Sequence, residues 1–108
     1  MSLKLLLSQD DFLPGNIEYQ DIELDLEQSV KDQIDMLKED LLHVSYPSGL
    51  LLDVGWYPSF DEDGAFHVKV IQNYNWDEPC FHAEFTEIEN LKKTIFRAAK
   101  YCAESKEK

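Results

Sequence analysis

The stretch LLLDVGWYPSFDEDGAFHVKVIQ, residues 50–72, contains two alternating apolar runs on either side of a short polar segment. Alternation of apolar and polar residues is typical of a β-strand with one face in the core. The polar segment ends in Asp63-Gly64, a pair that suits the left-handed backbone conformation at the end of a hairpin loop. We therefore predict an antiparallel hairpin. Its core-facing residues are Leu50, Leu52, Val54, Trp56, Phe66, Val68 and Val70.

A third strand is predicted after this hairpin, and two more before it. Residues 81–85 alternate in the same way and follow the turn-rich segment NYNWDE, residues 73–78, which predicts a second short connection. Upstream, LKLLL (residues 3–7) and IEYQDIELD (residues 17–25) predict two strands. The apolar residues of the second one change parity, so we expect a β-bulge or bend near Gln20.

Two amphipathic helices are predicted, one between the second and third strands and one at the C-terminal end. Asp25 with Gln28, and Thr86 with Glu89, can each form a capping box that satisfies backbone N–H groups at a helix start. Apolar residues then recur every three or four positions, as on the buried side of a helix. They are Leu26, Val30, Ile34, Leu37 and Leu41 in the first helix, and Ile88, Leu91, Ile95, Ala98 or Ala99, and Cys102 in the second.

The predicted element order is ββαβββα, within a single domain of residues 1–108. The first helix should end before SYPSG, residues 45–49, because proline and glycine stop helices. Two amphipathic helices can cover one face of an antiparallel sheet. The predicted fold class is therefore α+β, a two-layer sandwich with both helices on one face and the other face open.

The formal net charge of −12 narrows the range of partners. An acidic surface disfavours binding to nucleic acid or to an anionic membrane and would attract a basic protein, although net charge also serves solubility alone. No apolar window is long enough to span a membrane. The short apolar run in residues 1–11 is followed by acids and has no small-residue cleavage site, so no signal peptide is expected. Cys80 and Cys102 have neither metal-ligand nor disulfide-framework spacing, which favours a reduced, cytoplasmic setting.

The open face of the predicted sheet carries two histidines. Simple hairpin registers align six residues in two cross-strand rows, which are Asp53, Lys69 and His82, and Gly55, His67 and Glu84. In one interpretation His67 is a general base oriented by Glu84. In another, both histidines and Asp53 bind zinc. Because no catalytic or metal-binding motif is present, we favour solvated cross-strand ion pairs, with no catalytic residue, metal or cofactor.

The two hairpin connections combine aromatic and acidic residues. Large aromatic side chains dominate protein-interface hot spots, and neighbouring acids would attract a basic partner. DEDG, residues 61–64, lacks the ligand spacing of an EF-hand loop, so we interpret it as a turn. The candidate partner-binding residues are Tyr57, Phe60, Asp61, Glu62, Asp63, Tyr74, Trp76, Asp77 and Glu78. The alternative is that the aromatic side chains fold back over a small core.

The pattern LLLDVGWYP, then an acidic turn with Gly64, then AFHVKVIQNYNWDEP, resembles small immunity proteins of bacterial polymorphic-toxin and contact-dependent-inhibition systems. The resemblance covers residues 50–79. It implies a cytoplasmic, non-enzymatic protein that binds one cognate toxin domain and occludes its active site. Many such toxins are cationic nucleases, so an acidic inhibitor is consistent with this function.

Two other functions remain open from the sequence. The domain could be a homo-oligomeric structural or regulatory protein, such as a homodimer, whose open face packs on its symmetry mate through Leu51, Tyr57 and Ile71. It could also be a small hydrolase or metal-binding protein that uses His67 and His82.

Overall fold

The computed structural model describes residues 4–105. It is an α+β fold with a five-stranded antiparallel sheet whose strands lie side by side in chain order. One main helix, α1 (Leu91–Glu104), follows the last strand. Three short 3-10 helices span Gln9–Phe12, Lys31–Met36 and Ile88–Asn90. The strands are β1 (Asn16–Gln20), β2 (Leu42–Ser45), β3 (Leu50–Tyr57), β4 (Ala65–Gln72) and β5 (Phe81–Phe85).

The predicted hairpin of residues 50–72 is confirmed, and so is its register. The loop between β3 and β4 is closed by Trp56, whose indole Nε1–H donates to the carbonyl oxygen of Asp61 at 2.8 Å. A backbone hydrogen bond from Gly64 to the same carbonyl completes the turn at 2.9 Å. The cross-strand pairs that the sequence predicts all occur, namely Tyr57–Ala65, Gly55–His67, Asp53–Lys69, His67–Glu84 and Lys69–His82.

The core lies between α1 and the sheet. The helix packs against β3 and β4, and every residue of its predicted apolar stripe is buried, down to Cys102 at 2% exposure. Trp56 and Phe66 meet edge to face in this layer, with ring centroids 4.8 Å apart. Burying each large apolar side chain contributes roughly 1.5–3 kcal/mol, which makes this layer the main source of stability. In residues 4–105 no helix is long and apolar enough to cross a membrane.

The predicted first amphipathic helix is not confirmed. The structure instead has irregular chain around the 3-10 helix Lys31–Met36, and β2 begins at Leu42. Gln33 supplies backbone hydrogen bonds that a regular helix would otherwise provide. Its side-chain oxygen accepts from the Asp25 N–H and its side-chain amide donates to the Asp25 carbonyl, both at 2.8 Å. The apolar residues of the predicted stripe are still partly or fully buried, although they lie in irregular chain and not on a regular helix.

Strand β2 replaces the end of that predicted helix. Leu42 and Val44 are fully buried and alternate with the half-buried His43 and Ser45. The strand pairs with both β1 and β3, so its backbone groups are satisfied on both edges. Five strands followed by α1 therefore replace the predicted order ββαβββα in the described chain, and one main helix, not two, covers the sheet.

The N-terminal strands also differ from the prediction. Residue 3 lies outside the described residues, and the rest of the predicted first strand is reduced to an isolated antiparallel bridge between Lys4 and Asp25. Strand β1 ends at Gln20, earlier than predicted. The predicted bulge is present, because β1 changes register against β2 between Ile17 and Tyr19.

The start of α1 is built differently from the predicted capping box. The hydroxyl of Thr86 donates to the Glu87 carboxylate at 2.6 Å rather than capping a helix N–H. Asn90 also donates to Glu87, at 3.1 Å, and holds the 3-10 turn that precedes the helix. The predicted capping box of Thr86 and Glu89 is therefore absent, and Glu87 accepts hydrogen bonds from the side chains on either side of it.

Candidate functional site

The sheet face opposite α1, here named the open face, carries all three histidines of the chain. Alternation along the strands places them there together with acidic, basic and aromatic residues. The residues of the open face on β2 to β5 that bear on chemistry are His43, Asp53, Gly55, Tyr57, His67, Lys69, His82 and Glu84. The face is therefore lined mainly by titratable groups.

His67 and His82 form a close pair on β4 and β5. His67 Nδ1 lies 3.1 Å from His82 Nε2, and the two rings are nearly parallel with centroids 5.3 Å apart. The other ring nitrogen of His67 lies 3.9 Å from a carboxylate oxygen of Glu84. Burial lowers the pKa of His67, against the opposing effect of Glu84. The pair thus favours a neutral His67 ring.

Tyr57 belongs to this cluster and does not project from the loop. Its half-buried ring packs edge-on against His67 at 5.3 Å between centroids. Lys69 Nζ lies over the same ring, 5.7 Å from its centroid. Burial raises the pKa of Tyr57 to about 12, so its hydroxyl stays protonated at neutral pH.

A second cluster, around His43, lies on the same face toward β2. His43 Nε2 is 2.8 Å from Asp53 Oδ1 and 3.4 Å from Asp40 Oδ1. Burial raises the pKa of Asp53, which is only 3% exposed, although His43 acts in the opposite direction. The sequence prediction missed His43 because it placed residues 42–45 at a helix end. The signal that could have found it is the alternation of Leu42 and Val44.

Each cluster offers three atoms of types that bind metals. In both, one potential ligand atom per residue lies within 4.8 Å of the others. The groups are His67, His82 and Glu84, and Asp40, His43 and Asp53. The alternative zinc set of the sequence, which joined both paired histidines to Asp53, is not brought together, because Asp53 is paired with His43.

The loop of residues 58–64, between β3 and β4, presents Phe60 to solvent, and this residue is 56% exposed. The backbone N–H of Phe60 donates to the carbonyl oxygen of Leu37 at 2.8 Å. Three acids follow Phe60 and are exposed, and the Asp63 N–H donates to the Asp61 carboxylate at 2.9 Å. The predicted residues Phe60, Asp61, Glu62 and Asp63 are thus grouped in one well-tied loop.

The loop of residues 73–80, between β4 and β5, is also exposed. Tyr74 is 79% and Trp76 is 49% exposed, and neither folds back over the core. Asp77 and Glu78 beside them are exposed as well. Among the aromatic residues considered for binding, the exposed ones are therefore Phe60, Tyr74 and Trp76.

The two loops lie at opposite ends of the sheet. Strand β4 spans Ala65–Gln72, and its eight residues separate the loops by about 25 Å at the usual rise per residue. The structure thus brings Phe60 and its acids together, and Tyr74, Trp76 and their acids together, but not the two groups with each other. Tyr57 contacts the histidine cluster on the open face.

The apolar patch expected of a homo-oligomer is reduced in the structure. Ile71 is fully buried within the single chain, and Leu51 and Tyr57 are half-buried. These three side chains leave little apolar surface for a symmetry mate.

Comparison with protein-family models, with curated proteins and with solved structures found no match. What the chain can do is therefore inferred from its own residues. They form two chemically distinct regions, the acidic loop with Phe60 and the histidine pair of the open face.

Proposed function

We propose that this chain is a non-enzymatic, cytoplasmic immunity-type protein that binds a basic toxin domain and occludes its active site. The observation that carries the proposal is the loop of residues 58–64, in which an exposed Phe60 stands beside three exposed acids. The resemblance of residues 50–79 to bacterial immunity proteins supports the same function.

Phe60 has the properties of an interface anchor. Its backbone is held at a φ of 60° while its N–H donates to Leu37, so the ring projects from a fixed position. The carbonyl of Asp61 is fixed in turn by the Trp56 indole. A residue that is ordered before binding loses less conformational entropy in the complex. An aromatic side chain in such a place is a typical hot-spot residue.

The charge around Phe60 favours a basic partner. The backbone carbonyls of Leu37 and Lys38 bind the loop and the end of β3, which places the exposed Glu39 and Asp40 at the same end of the sheet. With the loop's own acids they form a strongly negative region, the acidic end. Its exposed carboxylates are Glu39, Asp40, Asp61, Glu62 and Asp63. Such a region speeds encounter with lysine- or arginine-rich surfaces, most strongly at low salt.

The loop of residues 73–80 is a less suitable anchor for the same partner. It has two exposed acids, Asp77 and Glu78, against five at the acidic end. It is also about 25 Å away along β4. We therefore assign the main contact to the acidic end and use Tyr74, on the opposite loop, as the matched control position.

The test partner is a basic C-terminal toxin domain encoded beside this chain. The two proteins should form a one-to-one complex in size-exclusion chromatography at low salt, and toxin activity should fall in step with complex formation. Absence of a complex at low salt, or a complex that leaves the toxin fully active, would contradict the proposal.

A triple variant tests how much the acidic charges contribute to binding. Replacing Asp61, Glu62 and Asp63 together with Asn, Gln and Asn keeps the side-chain sizes and removes three negative charges. The association rate should fall at least tenfold at low salt and converge with that of the wild type at high salt. An unchanged association rate at low salt would remove these acids from the binding surface.

A further inference from the structure

We propose that His67, His82 and Glu84 form a binding site for a divalent transition-metal ion with the ligand preference of Zn²⁺. The site lies on the open face and is separate from the acidic end that carries the proposed function. It consists of two imidazoles on neighbouring strands, which are ligands that zinc, nickel and copper accept, and one carboxylate beside them.

The spacing of the two rings suits a shared ion. His67 Nδ1 and His82 Nε2 are 3.1 Å apart and face each other. Two imidazole nitrogens bound to one zinc ion at about 2.0–2.1 Å in tetrahedral geometry lie about 3.3 Å apart. An ion therefore needs a separation a few tenths of an ångström larger and a tilt of the two rings that turns both lone pairs toward it. It then replaces the hydrogen bond between the rings with two stronger bonds.

Glu84 completes the arrangement. Its carboxylate lies 3.9 Å from His67 Nε2, the nitrogen that does not face His82. A metal-binding histidine commonly donates its second ring N–H to a carboxylate, which fixes the tautomer with its lone pair toward the metal. We assign this positioning role to Glu84, whose carboxylate moves from 3.9 Å to hydrogen-bond distance when the ion binds, and His67 Nδ1 and His82 Nε2 are the direct ligands.

The backbone holds both histidines in place. His67 is paired with Glu84, and His82 with Lys69, in the regular β4–β5 register. Tyr57 packs edge-on against His67 and limits its ring rotation. Because His82 is exposed, water from the solvent can fill the remaining coordination positions.

Imidazole ligands distinguish this site from the acidic surface. Carboxylate clusters bind Ca²⁺ and Mg²⁺, which are hard cations that prefer oxygen, whereas imidazole nitrogen favours zinc and its neighbours. The site should therefore bind Zn²⁺ and discriminate against Mg²⁺ and Ca²⁺. Binding that follows total negative charge would not discriminate among these divalent ions.

The experiment is isothermal titration calorimetry of the full chain with ZnCl₂, MgCl₂ and CaCl₂ separately. We expect one Zn²⁺ per chain and no saturable heat from the other two ions. His82→Ala should weaken Zn²⁺ binding at least tenfold, and this exposed position leaves the fold intact by circular dichroism. His43→Ala removes the third histidine of the same face and should change the affinity less than twofold.

Glu84→Gln tests the positioning role. The amide keeps the size of the side chain and loses its charge, so Zn²⁺ affinity should fall several-fold at unchanged stoichiometry. The proposal is overturned if the wild type shows no saturable Zn²⁺ binding, if His82→Ala binds as tightly as the wild type, or if His43→Ala weakens binding as much as His82→Ala. Unchanged affinity in Glu84→Gln would remove Glu84 from the site.

Discussion

Gly55 determines how closely the chain can approach the open face of β3. A Cβ at this position would collide with the backbone carbonyl of Glu39 and come within 2.9 Å of the Tyr57 ring. The absence of a side chain thus lets the segment before β2 run against β3, at the position opposite His67. One small residue therefore shapes both the acidic end and the histidine cluster.

Gly55→Ala should destabilise the protein by about 1–3 kcal/mol, because the atom that a methyl group would meet belongs to the backbone and cannot rotate away. Urea unfolding measures the change. Ala65→Ser, on the same face of β4, adds one atom at a half-buried position and should stay within about 0.5 kcal/mol of the wild type. Equal unfolding midpoints for Gly55→Ala and the wild type would contradict the close approach.

The two cysteines should differ strongly in reactivity. Cys80 is exposed, whereas Cys102 is 2% exposed and burial raises the pKa of its thiol to about 12. Only the thiolate reacts with a disulfide reagent such as Ellman's reagent, so at pH 8 one thiol should react rapidly and the second only after unfolding. Cys80→Ser should abolish the rapid phase. Two rapidly reacting thiols in the native protein would show that the α1 packing is wrong.

The cross-strand pairs of the open face could be predicted from the sequence because both hairpins keep simple registers. Asp53–Lys69 and His67–Glu84 follow from the alternation of apolar residues alone. The edge-to-edge approach of the His67 and His82 rings could not be predicted, since it depends on side-chain rotation and not on register. The sequence pattern therefore predicts which residues pair across the strands, and the structure shows how the two histidine rings contact each other.

At the scale of elements, the structure of residues 25–41 differs from the structure that their sequence pattern predicts. Its apolar residues recur at helical spacing, yet the chain forms only the 3-10 helix Lys31–Met36. Directly after this segment, at residues 42–45, long-range pairing of β2 with two strands outweighs local helix preference, because each strand residue gains sheet hydrogen bonds and burial. The spacing of apolar residues in the sequence gives no measure of the free energy that this long-range strand pairing contributes.

The variant Gln33→Ala distinguishes the predicted amphipathic helix of this segment from the irregular chain that the structure shows. The Gln33 side chain binds the backbone N–H and C=O of Asp25, and its removal should cost about 2–3 kcal/mol of unfolding free energy. In a regular amphipathic helix the same change would be neutral or slightly stabilising, because alanine is the better helix former. Chemical denaturation of the variant measures the difference.

Gln28→Ala is the matched control for that measurement. Gln28 is exposed, so its substitution should leave stability within about 0.5 kcal/mol of the wild type. If both glutamine variants match or exceed the wild type in stability, the segment is helical as the pattern predicts, and the described 3-10 arrangement is wrong.

At the scale of the whole molecule, the sheet places two loops of similar composition at its opposite ends. The sequence pattern gives both loops the same combination of aromatic and acidic residues, but β4 places them about 25 Å apart. The exposed side of α1 carries the opposite charge, on Lys92, Lys93, Arg97 and Lys100. Composition predicts an acidic protein, and the fold groups five of its acids at one end.

The net charge of −12 predicts how stability responds to salt. Self-repulsion opposes the compact state, so the urea midpoint should rise between about 20 mM and about 500 mM NaCl as the repulsion is screened. The Lys38–Asp21 pair at 2.6 Å acts in the other direction, but a single surface ion pair contributes little to stability. A midpoint that falls with salt would mean that attractive pairs dominate the surface.

The most direct test of the proposed function compares the two ends of the sheet in one titration. Calorimetry with the proposed partner, a basic toxin domain, is performed for the wild type, Phe60→Ala and Tyr74→Ala, two variants of exposed aromatic residues on opposite loops. We predict that Phe60→Ala weakens binding at least tenfold and that Tyr74→Ala changes it less than threefold. Loss of affinity in Tyr74→Ala with none in Phe60→Ala would contradict the assignment of binding to the acidic end.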